Sequence, residues 1–146
     1  MRRLLLLLIV LASTSLSAQL GEIALGNYCG DDHASPSRQI QKGLQALNKA
    51  DYPNAQVYIG AALRQNEADQ HALYLRGEWA MRTGKFPIAE GSWKRLVKRC
   101  PGYKPDLLFF IAKLAIEAGR PEEAEGYLEQ WFLRNDRELG YEKEAE

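Results

Sequence analysis

Two cysteines, two histidines and a few acidic residues are the side chains in this sequence best suited to chemistry. Cys29, Asp31, Asp32 and His33 fall close together, a grouping of metal-ligating types. Their stretch contains Gly30 and Ser35 and has no helical spacing that would aim them at one point, so no metal is expected there. His71 has no Ser, Cys or carboxylate placed with it in a recognisable nucleophile motif, and it reads as a polar recognition or surface residue rather than a base. No glycine-rich phosphate loop is present, because the glycines recur at a fixed long interval instead. No catalytic residue and no cofactor follow from these patterns.

Cys29 and Cys100 are the only cysteines. They stand either as a disulfide or as two independent thiols, with Cys100 a small residue near a helix end, since spacing alone cannot give their distance. Lys94, Arg95, Lys98 and Arg99 form a basic group suited to an anionic surface or an acidic partner. The plainer reading is the solvated face of an amphipathic helix. Glu122, Glu123 and Glu125 put negative charge where the dipole of a following helix favours it.

Met1-Arg2-Arg3, an uncharged run from Leu4 to Leu11 and the small residues Ala12 to Ser15 have the order of a secretory signal peptide, with cleavage expected after Ala18 and Ser17 as the alternative. A retained anchor helix is the alternative, but the run is shorter than the roughly 20 apolar residues that span a bilayer. Export, to a periplasm or to the outside, would allow disulfides to persist. Cys29 lies too far beyond the apolar run to carry a lipid anchor, so no stable membrane insertion is expected. Without Arg2 and Arg3, 17 basic residues face 19 acidic ones, which argues against nucleic acid as a partner.

The elements that must position these residues are set by an internal period. A shift of 34 superposes Gly43 on Gly77, Ala46 on Ala80, Pro53 on Pro87 and Ala55 on Ala89. A further shift of 35 carries Gly77 to Ala112, Ala80 to Ala115, Gly84 to Gly119 and Ala89 to Ala124, with the slip absorbed in the turn-forming run Pro101 to Pro105. Within each period two sets of residues recur at i, i+4, i+7 and i+8. Gln39/Gly43/Ala46/Leu47 opens the first, and Ala55/Ile59/Ala62/Leu63 the second. That spacing is one face of a helix, so six helices are expected. The small columns would let paired helices approach closely, while Trp93 and Trp131 fill the space between pairs. Ser35 and Asp69 are expected N-caps, and Pro53, Pro87 and Pro121 suit first turns.

These residues resemble the tetratricopeptide repeat family, most specifically in the middle repeat, where Leu73, Gly77, Gly84, Phe86, Ala89, Trp93 and Pro101 fall on pattern positions. The outer repeats depart from it, with Gln39 and Glu67 in the first and Pro121 and Asp136 in the third, as end repeats do. The resemblance implies an all-α fold, a right-handed α-solenoid of three helix-turn-helix hairpins at 36–69, 70–104 and 105–138. Residues 1–18 would be the signal peptide, 19–35 an irregular lead-in segment and 139–146 a polar tail or partial capping helix. A plain helical bundle is the competing architecture, but it has no reason to repeat its glycines and prolines at one interval.

The resemblance further implies a concave wall that binds a protein or peptide partner. Its residues would be Ser37, Ile40, Leu44, Leu47 and Asn48, then His71, Tyr74, Glu78, Met81 and Arg82, then Asp106, Phe109, Lys113, Ile116 and Glu117. Ile40, Tyr74 and Phe109 share one column, an apolar strip open to a partner, or else packed against neighbouring helices or the segment between Gln19 and Ala34. Carboxylate-clamp binding is not expected, because that column lacks Lys, Asn and Arg. Trp131 and Phe132 would leave the last helix open, to be covered by Leu139 and Tyr141 folding back or by another subunit. The expected function is a non-catalytic, exported protein-interaction scaffold, placed in a bacterial envelope by export, small size and fold analogy. The alternatives are an accessory subunit presenting substrate to an enzyme and a structural homo-oligomer joined through the last helix.

Overall fold

The computed structural model describes residues 21–30 and 35–138. The proposed signal peptide, the Asp31-Asp32-His33 cluster and the tail at 139–146 lie outside the described residues. Among the described residues there are six helices and no strand: α1 (Arg38–Asn48), α2 (Tyr52–Gln65), α3 (Gln70–Arg82), α4 (Phe86–Arg99), α5 (Asp106–Glu117) and α6 (Pro121–Glu138). None is long and apolar enough to cross a membrane.

Local chemistry sets the helix starts. Asp69 accepts from the Ala72 amide and caps α3, and Asp51 caps α2 through the Asn54 amide. At α1 the cap is Ser37 rather than the expected Ser35. The Ser37 hydroxyl accepts from the Ile40 amide, which places the first turn one residue beyond it. Pro53 and Pro87 sit in the first turns of α2 and α4, where a missing N–H is harmless.

The ends of α1, α3 and α5 share one turn. The Asp51, Lys85 and Arg120 amides reach back to the Ala46, Ala80 and Ala115 carbonyls at 2.8, 2.8 and 2.9 Å, and the preceding residues Ala50, Gly84 and Gly119 bond to Leu47, Met81 and Ile116. This is the double hydrogen bond of a Schellman stop, which needs a left-handed residue. Gly84 and Gly119 supply it at φ 72° and 77°, and Ala50 does so at φ 57° despite its Cβ.

Each such turn joins an antiparallel pair, and packing is most extensive within α1–α2, α3–α4 and α5–α6. Successive pairs meet through α2 on α3 and α4 on α5. The small columns work by admitting a partner side chain. A Cβ on Gly77 would lie 1.9 Å from Trp93 Nε1, and one on Gly43 would lie 3.1 Å from Ile59 Cγ1. Ala55, Ala89 and Ala124 are buried at the matching places on α2, α4 and α6. The stack is uneven, however: α1 lies on α3, whereas no Cα of α3 comes within 8 Å of α5. Beside α3 lies instead the buried ring of Tyr103, from the α4–α5 connection, 5.3 Å from the Tyr74 ring.

Four charged residues tie α4 to the start of α6. Arg120 grips both oxygens of Glu90 at 2.5 and 2.6 Å, Lys94 pairs with Glu90 at 2.6 Å, and Glu123 bonds to both cations. Lys94 thus leaves the expected basic group. Arg95 donates to the Glu67 carbonyl and lines a shallow cleft with Lys98 and Arg99.

Candidate functional site

Of the two arrangements expected for the wall, open to a partner or packed against the chain itself, the α1–α3 part takes the second. Residues 21–30, without helix or strand, run along α3 from its C-terminal to its N-terminal end. The Gly21 carbonyl accepts from Arg82 Nη2 at 3.5 Å. Ile23 enters the core, 6% exposed, while Asn48 of α1 takes both of its backbone groups: Oδ1 accepts from the Ile23 amide at 2.7 Å and Nδ2 donates to its carbonyl at 3.1 Å. At the far end Gln70 repeats the arrangement on Cys29, accepting from its amide and donating to its carbonyl, both at 2.8 Å. Between these carboxamides the Asn27 amide donates to the Tyr103 carbonyl at 2.9 Å. A disulfide then joins Cys29 to Cys100 across 71 residues, with Cα atoms 5.5 Å apart.

Gly26 permits this path. A Cβ there would fall 2.2 Å from the Tyr103 carbonyl oxygen and 2.7 Å from its ring, so only glycine lets the backbone pass.

Beneath the segment lies an aromatic and histidine cluster. His71 Nδ1 is 2.7 Å from the Tyr103 hydroxyl, the Tyr28 and His71 ring centres are 5.1 Å apart, and Lys104 Nζ lies over the Tyr74 ring. Burial pushes the His71 pKa below its ordinary value, outweighing the upward pull of Asp69, so the ring is neutral at neutral pH. Burial raises the Tyr103 phenol as well, and it raises Tyr74, where the neighbouring Glu78 adds to the effect. Neutral, mutually bonded groups of this kind hold the segment against the helices.

The expected wall residues therefore divide. Ile40, Leu47, His71 and Tyr74 are buried, and Leu44, Glu78, Met81 and Arg82 are half-buried. Asn48 is exposed yet engaged with Ile23, Ser37 is a helix cap, and Glu78 approaches Arg82 at 3.7 Å. The continuous open strip Ile40–Tyr74–Phe109 does not exist: the first two members are 1% and 4% exposed and only Phe109 faces out. The reason is that residues 21–30 and the Tyr103 ring fill the hollow over α1 and α3. Ile23, Gly26, Gln70 and Tyr103 were not among the expected site residues. The one signal for them was Gly26 directly after the apolar run Ile23 to Leu25.

On the last pair the surface is open among the described residues. Phe109, Phe110, Lys113, Ile116 and Glu117 of α5 are exposed, as are Phe132 and Leu133 of α6. Their rings form a chain, with centres 5.8 Å apart for Phe109–Phe110, 5.4 Å for Phe109–Trp131 and 5.0 Å for Trp131–Phe132. Ile116, Leu128 and Phe132 line a cleft on the side away from the other pairs. The buried Trp131 Nε1 finds no acceptor among the described residues. Comparison with family models, with curated proteins and with solved structures gives no match.

Proposed function

We propose that this chain is an exported, non-catalytic scaffold: three tetratricopeptide-type hairpins in a right-handed solenoid that hold a polypeptide partner, with no cofactor and no nucleic acid. The repeated stop at Ala50, Gly84 and Gly119, each closing on an alanine carbonyl, supports three equivalent units. One observation carries the binding role. Five large apolar side chains, Phe109, Phe110, Ile116, Phe132 and Leu133, are each more than 40% exposed on one helix pair, where an isolated soluble domain would cover them. Aromatic side chains of this kind anchor partners because they bury much area with little loss of freedom. These side chains support a binding face on α5–α6 rather than on the α1–α3 wall, with Trp131 Nε1 an unused donor for the partner.

A second reading, a homo-oligomer through the last pair, is favoured by the cleft of Ile116, Leu128 and Phe132 on the outer side of α5–α6. The double variant Phe109→Ser/Phe132→Ser tests both. Affinity capture from an envelope extract should lose its specific partners with the helical circular dichroism unchanged. Recovery of the same proteins by the variant would remove the assignment. A sedimentation shift from dimer to monomer, with no captured partner, would establish the second reading.

A further inference from the structure

We infer that residues 21–30 are a displaceable internal ligand, latched by Cys29–Cys100, and that the α1–α3 wall takes a peptide of the same chemistry once a dithiol reductant opens the bridge. This surface is distinct from the α5–α6 face, so the inference stands apart from the proposed function and fails or holds separately.

The wall treats its occupant as a binding site treats a peptide. Asn48 and Gln70 each take the N–H and C=O of a single residue, Ile23 and Cys29, a readout of backbone that is indifferent to side chain. Selectivity is sharpest at two places. The Ile23 position demands an aliphatic side chain, because it is buried in the core. The Gly26 position demands glycine, because any Cβ meets Tyr103. The side chains of Glu22, Ala24 and Asn27 are exposed, whereas Leu25 packs half-buried on the core and Tyr28 lies against His71. The partner is thus a segment of another polypeptide with an aliphatic residue and, three places on, a glycine.

The latch determines whether such a segment can enter. While the bridge is closed Cys29 is fixed against Cys100, so the segment cannot peel away from its Gln70 end and competes with a free peptide at high local concentration. Cys29 is the exposed member and Cys100 is fully buried. A reductant thiolate would therefore attack the Cys29 sulfur and form a mixed disulfide, expelling Cys100 as a thiolate that takes up a proton. The second thiol of the reductant then displaces Cys29, so the dithiol is oxidised to a disulfide as Cys29 and Cys100 gain two electrons and two protons.

The test uses the full chain and a fluorescent peptide of residues 21–30 carrying Cys29→Ser, followed by anisotropy. Oxidised protein should not bind it, reduced protein should, and the variant Ile23→Asp/Cys29→Ser, whose own segment is weakened while the wall is untouched, should bind at least about tenfold more tightly than the oxidised form. The same peptide carrying Gly26→Val should fail in every case. Equal affinity for oxidised protein and the variant, or no binding to the variant, would overturn the inference. So would loss of the helical signal on reduction, which would make the segment a fixed part of the core.

Discussion

Asn48 holds Ile23 by both of its backbone polar groups, the amide at 2.7 Å and the carbonyl at 3.1 Å, from 25 residues away in the chain. The carboxamide stands in for a neighbouring strand, pairing an irregular segment that has none. It is the point at which the N-terminal segment becomes part of the helical body, since Ile23 is also the residue of that segment that enters the core.

Asn48→Ala should therefore free the segment more than it harms the helices. Two hydrogen bonds at a partly exposed position are worth about 1–2 kcal/mol together. Hydrogen exchange at the Ile23 amide should accelerate by about tenfold or more, with little change at amides within α4. Equal acceleration in both places would mean that the segment opens only with the whole protein.

Gly77 and Gly43 occupy the same column but should respond differently to alanine. At Gly77 the new Cβ would overlap the Trp93 indole, whose Nε1 also donates to the Tyr74 carbonyl at 3.3 Å. Gly77→Ala should cost about 3 kcal/mol or more in chemical denaturation. At Gly43 the nearest atom is the movable Ile59 Cγ1 at 3.1 Å, and the gain in helix propensity, about 1 kcal/mol, offsets the crowding. Gly43→Ala should stay within about 1 kcal/mol of the parent.

Ala50 is the exception among the three helix stops, holding φ 57° where its counterparts are glycines. Relief of left-handed strain outweighs the added freedom of the unfolded chain, so Ala50→Gly should stabilise by about 0.5–1 kcal/mol. The melting temperature should rise by about 2–5 °C, and a fall would show that the Ala50 methyl makes a contact worth more than the strain.

Acid should destabilise the fold in two stages. His71 has a folded pKa below its ordinary 6.5, so the unfolded chain binds the proton first, and its contribution, complete above 6.5, declines as pH falls from there toward the lowered value. At Glu90 burial alone would raise the carboxyl, but hydrogen bonds and charge from Arg120 and Lys94 outweigh it and hold the pKa below 4.5. At Glu123, Lys94 lowers the carboxyl most, and Arg120 adds to the effect. The stability these two carboxylates give is present above 4.5 and is lost as pH falls through their lowered values. Urea midpoints measured from pH 7.5 to 3 should show both declines, and Glu90→Gln should flatten the lower one only.

The all-helical character was legible from spacing alone, because helix formation and pair packing depend on residues three, four and seven places apart. The Asp69 cap and the prolines of α2 and α4 are local decisions of that kind; Trp93, expected between successive pairs, also meets Gly77 within its own. The left-handed stop at Ala50 went unread because alanine does not advertise it, and Ser37 displaced Ser35 because a cap is decided by which hydroxyl reaches the third amide onward. The covering of Ile40 and Tyr74 was decided by tertiary structure. Residues 21–30 have no period, and they are held through backbone groups by Asn48 and Gln70, 25 and 41 residues away. The Cys29–Cys100 bridge likewise depends on a distance that only the packed chain sets. Periodic side chains record what lies beside them on a helix, whereas a segment bound by its backbone leaves almost no mark in the order of its residues.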